Sequence, residues 1–253
     1  MDTASRGVLV TGASRGIGRA IATAFAERGD RVAVHCSTRQ SEAREVLGTL
    51  PGDGHVLVSG DLTDPVRVEG IVSEAVEALG AVDVLVNNAA VMIPHPLATT
   101  PYAQWQEAWR RTAAVNLFGA ADISYCVARR MIDEGRGGRI VNVGSRGAFR
   151  GEPDHPAYAA TKAALHALGQ SLAVSLAPHG IAVASVAPGF VATERVADRL
   201  NSPEGERIAA QSPFGRVAEP REIASAVLYL ASPEATWSSG TILDVNGASY
   251  LRT

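Results

Sequence analysis

Lysine is almost missing from this chain of 253 residues: of its 23 Lys and Arg, only Lys162 is lysine. Cysteine is nearly as scarce, with Cys36 and Cys126 far apart and no second Cys or His at ligand spacing from either. That gives no support to a zinc centre, rules out a disulfide scaffold, and fits reduced thiols in a cytoplasmic protein. Runs of 18 or more apolar residues are absent, and the start, Met1 to Arg6, has no apolar h-region. The expected address is therefore the cytoplasm, with no membrane span. An excess of either charge is also missing: the formal net charge is −3 and the arginines are scattered. Nothing electrostatic favours nucleic acid or an anionic membrane as partner.

What is present is a chain that is 46% hydrophobic and 19% charged, a balance that suits a compact domain and not a disordered one. At this length a single domain spanning 1–253 is expected. Apolar runs rich in Val, Ile and Leu predict strands at Val8 to Val10, Arg31 to His35, His55 to Val58, Val82 to Val86, Arg139 to Val143, Ile181 to Val186 and Thr241 to Val245. These runs do not alternate, so they read as strands buried on both faces of a parallel sheet. Helices are predicted between them at Ile17 to Glu27, Glu42 to Leu50, Pro65 to Leu79, Thr112 to Asp133, Ala157 to Leu176 and Arg221 to Leu230. Strand and helix in alternation imply an α/β, doubly wound three-layer sandwich. The stretch at about 189–219, punctuated by Ser202-Pro203 and Ser212-Pro213, reads as an excursion of the kind that forms substrate lids.

Two segments carry chemistry. The first is Thr11-Gly12-Ala13-Ser14-Arg15-Gly16-Ile17-Gly18, at the first strand-to-helix turn. Glycines there let backbone amides approach a pyrophosphate, and the helix N-terminus adds unpaired N–H groups with partial positive charge. Glycine spacing alone is a weak signal; its position in an alternating chain strengthens it. The second is Tyr158-Ala159-Ala160-Thr161-Lys162, a phenol and an ammonium on one helix face. A phenol titrates near pH 10, so acid/base work at neutral pH is helped by a neighbouring cation. A lysine placed at random would fall four after a tyrosine of this chain only about four times in 253, which argues against an accidental surface pair.

With these motifs in order the chain resembles the short-chain dehydrogenase/reductase family, in its 3-oxoacyl carrier-protein reductase-like branch. The resemblance runs from Thr11 to Gly247. It adds Asp61-Leu62 after the third strand, Asn87-Asn88-Ala89 after the fourth, Asn116 in the long helix, Ser145 after the fifth strand and Pro188-Gly189 after the sixth. It implies a Rossmann-type fold with a seven-stranded parallel sheet and a catalytic tetrad of Asn116, Ser145, Tyr158 and Lys162. In that scheme Tyr158 passes the proton and Lys162 lowers its pKa and holds the nicotinamide ribose. Ser145 hydrogen-bonds the substrate oxygen, and Asn116 holds a water that leads to solvent. The implied cofactor is a nicotinamide dinucleotide, cradled by Gly12, Ser14, Arg15, Gly16, Ile17 and Gly18. Asp61 and Leu62 would flank the adenine, Asn88 the adjoining ribose, and Val191 with Thr193 the carboxamide, and Ala89, Pro188 and Gly189 would also bind the cofactor.

After the second strand the chain reads Ser37-Thr38-Arg39, without the carboxylate that would bind a free 2′-hydroxyl and repel a 2′-phosphate. Ser37 and Arg15, with Arg39, therefore favour NADP(H), with NAD(H) as the alternative. Ala90 and Ala184 depart from the commonest family pattern. Of two basic residues that dock an acyl carrier, Arg130 has a counterpart but Val174 replaces the other. Trp105 and Trp109 at helical spacing read as packing and Cys126 as a small buried apolar residue. His155 and the mixed-charge segment Arg146 to Asp154 read as solvated, and Met92, Phe149, Phe190 and Phe214 are candidate pocket walls by position.

The expected activity is NADPH-dependent reduction of a ketone or aldehyde to an alcohol, reversibly. The alternatives are an NAD-linked sugar, polyol or secondary-alcohol dehydrogenase and a non-catalytic dinucleotide sensor, for which the Tyr-Lys pair would have no use. Ser145 follows Val143-Gly144, not the Gly-x of a hydrolase nucleophile elbow. By family analogy the helices bearing Asn116 and Tyr158 would pair subunits in a homotetramer or homodimer. The expected partner otherwise is a small carbonyl or alcohol substrate.

Overall fold

The structure is a computed structural model and describes residues 5–252. Seven strands, β1 Gly7–Val10, β2 Arg31–Cys36, β3 Val56–Ser59, β4 Val84–Asn87, β5 Gly138–Val143, β6 Ile181–Pro188 and β7 Ile242–Val245, form one parallel sheet in the order β3-β2-β1-β4-β5-β6-β7. The period of two along each strand divides the core. Val8, Val10, Val32, Val34, Val84, Val86, Val141 and Val143 face one layer, while Leu9, Ala33, Leu85, Ile140 and Val183 face the other. Both faces are dry, which is why these segments read as unbroken apolar runs.

The first layer is built on α1 Gly16–Ala26 with α2 Gln40–Thr49, and the second on α3 Pro65–Leu79. Caps fix where these helices begin and end. Asp64 accepts from the amides of Val66 and Arg67 ahead of Pro65, and Gly80 closes α3 in the left-handed region at φ 79°. After β4 the chain makes one long helix from Tyr102 to Asp133: α4 Tyr102–Ala113, a π-turn at Ala114–Gly119, and α5 Ala120–Asp133. It starts ten residues before the predicted Thr112. The reason is that its first turns, Tyr-Ala-Gln-Trp-Gln-Glu, bury little and so show weak apolar periodicity.

A short α6 Gly147–Arg150 precedes α7 Pro156–Leu176, which carries proline in its first turn and lies in the α3 layer with α5. Two short helices, α8 Ala197–Leu200 and α9 Glu204–Ala209, occupy the excursion after β6. Finally α10 Pro220–Leu230 packs on α1, its N-terminus closed by a reciprocal box in which Glu219 and Glu222 accept each other's backbone N–H. The strand order reverses between β1 and β4, and the cleft opens there, at the carboxyl ends of the strands.

Candidate functional site

The floor of the cleft is the turn between β1 and α1. Gly12 and Gly16 adopt φ of 63° and 55°, and a Cβ on Gly18 would come within 2.4 Å of Asn88 Nδ2 and of the Gly12 carbonyl. Only glycine fits such a surface, which presents bare backbone at the first turn of α1. Two side chains hold it. Asn88 Nδ2 donates to the carbonyls of Thr11 and Gly12 at 2.8 and 3.0 Å. Thr11 Oγ1 accepts from the amides of Asn88 and Ala89, both at 3.0 Å. Asn88, expected beside the ribose, thus spends its amide nitrogen on a clamp of the turn while it lines the cleft.

Sequence reasoning missed His35. Its Nδ1 accepts from the Gly12 amide at 3.2 Å and its Nε2 donates to the Gly60 carbonyl at 3.1 Å. Burial pushes this imidazole down to about pKa 4, so at neutral pH it has the unprotonated nitrogen that Gly12 needs. The signal in the sequence was only a histidine inside an otherwise apolar strand.

Beyond β2 Ser37 and Arg39 are exposed at the mouth of the cleft, and Arg39 also pairs with Glu42 at 2.9 Å. The Arg15 guanidinium is held below its ordinary pKa by burial and by the nearby charges of Arg39 and Arg195. Cations crowded together in this way fit an anionic group, and the glycine cradle fits the diphosphate, so the residues present suit a dinucleotide. Asp61 accepts from the Thr63 amide at 3.0 Å and from Arg111 at 3.2 Å. With Leu62, Ala89, Pro188, Gly189, Val191 and Thr193 it lines the same cleft.

The reacting end is built by β5 and α7. Ser145 lies just beyond β5, and its Oγ accepts from the Gly147 amide at 3.0 Å, which leaves its own proton to give. Tyr158 and Lys162 sit one turn apart on α7, with Nζ 5.8 Å from the phenol ring centre. Lys162 is 2% exposed and donates to the Val143 carbonyl at 2.6 Å. Burial, and after it the charge of Arg195, push its pKa down to about 7. Burial also pushes the Tyr158 phenol above its ordinary value, against the opposing pull of Arg195 and Ser145. The charge that pulls the phenol back down comes from Arg195, on the excursion after β6, while Lys162, one turn along α7, is itself driven towards its neutral form by burial.

Asn116 lies earlier along the chain. It sits in the π-turn, outside the lining of the cleft, and its amide is spent. Oδ1 accepts from the Val91 amide at 2.8 Å, and Nδ2 donates to the Val91 carbonyl at 2.9 Å and to Thr161 Oγ1 at 3.3 Å. Its side chain ties the Val91 segment to α7. The other expected site residues, from Gly12 to Thr193, all line one cleft of about 370 Å³.

Other readings separate in the structure. Trp105 and Trp109 pack round the buried His95, with ring centres 5.1 and 6.4 Å away, and His95 Nε2 accepts from the Ala157 amide at 3.2 Å, next to Tyr158. Met92 and Phe190 line the cleft, whereas Phe149 stacks on His166 and Phe214 lines a second cavity. Arg146 is not solvated: it is 4% exposed, hydrogen-bonded to Gln211 at 2.6 Å and to Ser249, with Phe190 5.1 Å from its guanidinium. The C-terminal segment and the excursion cover it, and neither was visible from the local mix of charges. His155 is half-buried at the start of α7, and burial lowers its pKa. Cys126 is half-buried. No cluster able to hold a metal, and no helix long and apolar enough to cross a membrane, occurs among the described residues.

Residues 12–248 match the family model described as enoyl-(acyl carrier protein) reductase. The chain is 39% identical to the 3-oxoacyl-[acyl-carrier-protein] reductase of Vibrio cholerae over 251 residues, which is 99% of this chain and 100% of that one. It is 38% identical to the L-rhamnose 1-dehydrogenase (NAD(P)(+)) of a Sphingomonas species and 35% identical to the sorbitol dehydrogenase of Cereibacter sphaeroides. Each of these covers 96% of both chains.

Proposed function

The chain belongs to the short-chain dehydrogenase/reductase family, and on that premise we propose that it prefers NADPH and reduces its substrate with Tyr158 as proton donor. It is an NAD(P)-dependent oxidoreductase that acts on CH–OH and C=O groups, reducing a ketone or aldehyde to an alcohol. The observation that carries the proposed roles is the convergence of Ser145, Tyr158 and Lys162 in the cleft that also holds the glycine turn.

The Gly12 to Gly18 turn would hold the diphosphate, Arg15, Ser37 and Arg39 the 2′-phosphate, and Lys162 the nicotinamide ribose. When bound, the dinucleotide supplies the hydride. Tyr158 gives its proton to the carbonyl oxygen in reduction and takes it back in oxidation. Ser145, whose lone pair is already engaged by Gly147, donates to that oxygen as negative charge develops on it. Lys162 keeps two donors beyond its bond to Val143, enough for two ribose hydroxyls. Asn116 acts as a positioning residue, by its hold on Val91 and Thr161.

The same proposal takes residues 189–219 as the substrate lid of a single domain over 1–253 and places the enzyme in the cytoplasm as a homotetramer or homodimer. Support for assembly comes from Phe118, Tyr125 and Val174, which are 60%, 68% and 79% exposed on the helices that carry Asn116 and Tyr158. An exposed valine at 174 does not favour docking of an acyl carrier through a basic pair.

Replacing the phenol tests the mechanism. Tyr158→Phe is expected to lose about 10²- to 10⁴-fold in kcat on a panel of ketones with NADPH while still binding the dinucleotide. Lys162→Arg is expected to lose most activity although it keeps the charge, because a planar guanidinium cannot occupy the buried ammonium site. Near-normal rates for either would overturn its assigned role.

A further inference from the structure

Glu152 lies between α6 and α7, half-buried, and lines the cleft together with Ser145 and Tyr158. Its carboxylate has no hydrogen-bond or ion-pair partner among the described residues. The cations that act on it are engaged elsewhere. Arg199 is forked by Glu204 at 2.9 and 2.5 Å, Arg150 is bonded to Gln211 at 2.7 Å, and Arg146 is bonded to Gln211 and Ser249. The carboxylate nonetheless has a defined place. It lies against the bare Cα of Gly147, where a Cβ would come within 2.7 Å of Oε1 and 2.9 Å of Cγ.

A carboxylate can only accept, and one left without a donor when a bound substrate displaces its water carries the penalty of desolvation. We propose that Glu152 is a specificity-determining residue that accepts a hydrogen bond from a hydroxyl group on the substrate. The preferred substrate is then a carbonyl compound hydroxylated close to the reacting carbon, as in sugar-like or polyol-derived molecules. This inference rests on the reductase reading above and narrows it. A plain acyl chain would set C–H groups against the charge and remove its water without replacing it. A hydroxyl replaces the water and, through the carboxylate, fixes the position of the carbonyl relative to Tyr158.

The test compares 2-hydroxycyclohexanone with cyclohexanone as substrates with NADPH, for wild type, Glu152→Gln, Glu152→Leu and Gly147→Ala. Wild type is expected to favour the hydroxylated ketone in kcat/KM. Losing a hydrogen bond to a charged acceptor should cut that preference about ten- to hundredfold in Glu152→Leu, and less in Glu152→Gln, which keeps one acceptor oxygen. Gly147→Ala keeps the charge but displaces Oε1, so it should lower the preference as well, and it covers the case in which Glu152→Leu does not fold. Wild-type preference for cyclohexanone, or a ratio that stays constant across the variants, would overturn the role of Glu152 and leave the reductase reading intact. Failure of wild type to reduce any ketone or aldehyde would remove the reductase reading and this inference with it.

Discussion

His166 is buried one turn beyond Lys162 on α7, stacked on Phe149 at 5.3 Å, beneath Gly144, where a Cβ would come within 2.1 Å of its ring. Burial, aided by the charge of Lys162 and opposed by the Ser145 backbone, pushes its pKa from 6.5 down to about 4. The folded protein therefore binds fewer protons than the unfolded chain between those values. The stability of the neutral form is complete above pH 6.5 and is lost as pH falls towards 4, up to about 3 kcal/mol for one such group. His35 titrates over the same window for the same reason. Urea unfolding at pH 7 and pH 4.5 should show a clearly smaller acid loss in His166→Leu than in wild type. Equal losses would mean that His166 is not buried in the neutral form. At this scale the sequence revealed residues whose chemistry depends on local spacing: Lys162 stood out by count and by its distance from Tyr158. It did not reveal Arg195 or Arg146, whose partners come from segments 60 or more residues away, Ala90 for the first and Gln211 and Ser249 for the second, nor Glu152, whose lack of a partner only the folded chain shows.

Among the elements, the turn from β1 into α1 tolerates the least change. Gly18 faces Asn88 Nδ2 and the Gly12 carbonyl at distances no methyl group can share. Gly18→Ala should therefore break the clamp that Asn88 makes on Thr11 and Gly12, and weaken NADPH binding by at least about tenfold in a titration, with secondary structure retained. An unchanged affinity would show that the clamp is dispensable. Strands and most helices were legible because burial on both faces leaves continuous apolar runs and because Asp64, Gly80 and Pro156 mark helix ends. The exceptions have physical causes. α4 is stabilised through Trp105 and Trp109 packed on His95, contacts that do not appear as a regular apolar stripe. β4 starts at Val84, after Asp83 has used its carboxylate to accept the Gly7 amide at 2.8 Å.

For the molecule as a whole, the seven-stranded order places the glycine turn, the cationic mouth and α7 around one cleft, so a ligand there bridges both halves of the sheet. A ligand that binds only the folded state raises its stability in proportion to the logarithm of its affinity, and about 1.4 kcal/mol accompanies each tenfold difference. At equal concentrations NADPH should raise the melting temperature more than NADH. Ser37→Asp, which puts a carboxylate beside the expected 2′-phosphate, should reverse that order. An identical rise with both cofactors in wild type would defeat the argument from charge at Arg15, Ser37 and Arg39.

The single lysine gives the molecule an unusual reactivity. Its other side-chain cations are guanidinium groups, so reagents that acylate or reductively alkylate primary amines find one ε-amine in the whole sequence, at the bottom of the cleft. With its pKa near 7, that amine is largely unprotonated and nucleophilic at mildly alkaline pH. The extent of labelling at position 162, read by mass spectrometry, then reports directly on whether the cleft is open or filled. A guanidinium-covered exterior offers no competing ε-amine to blur the count.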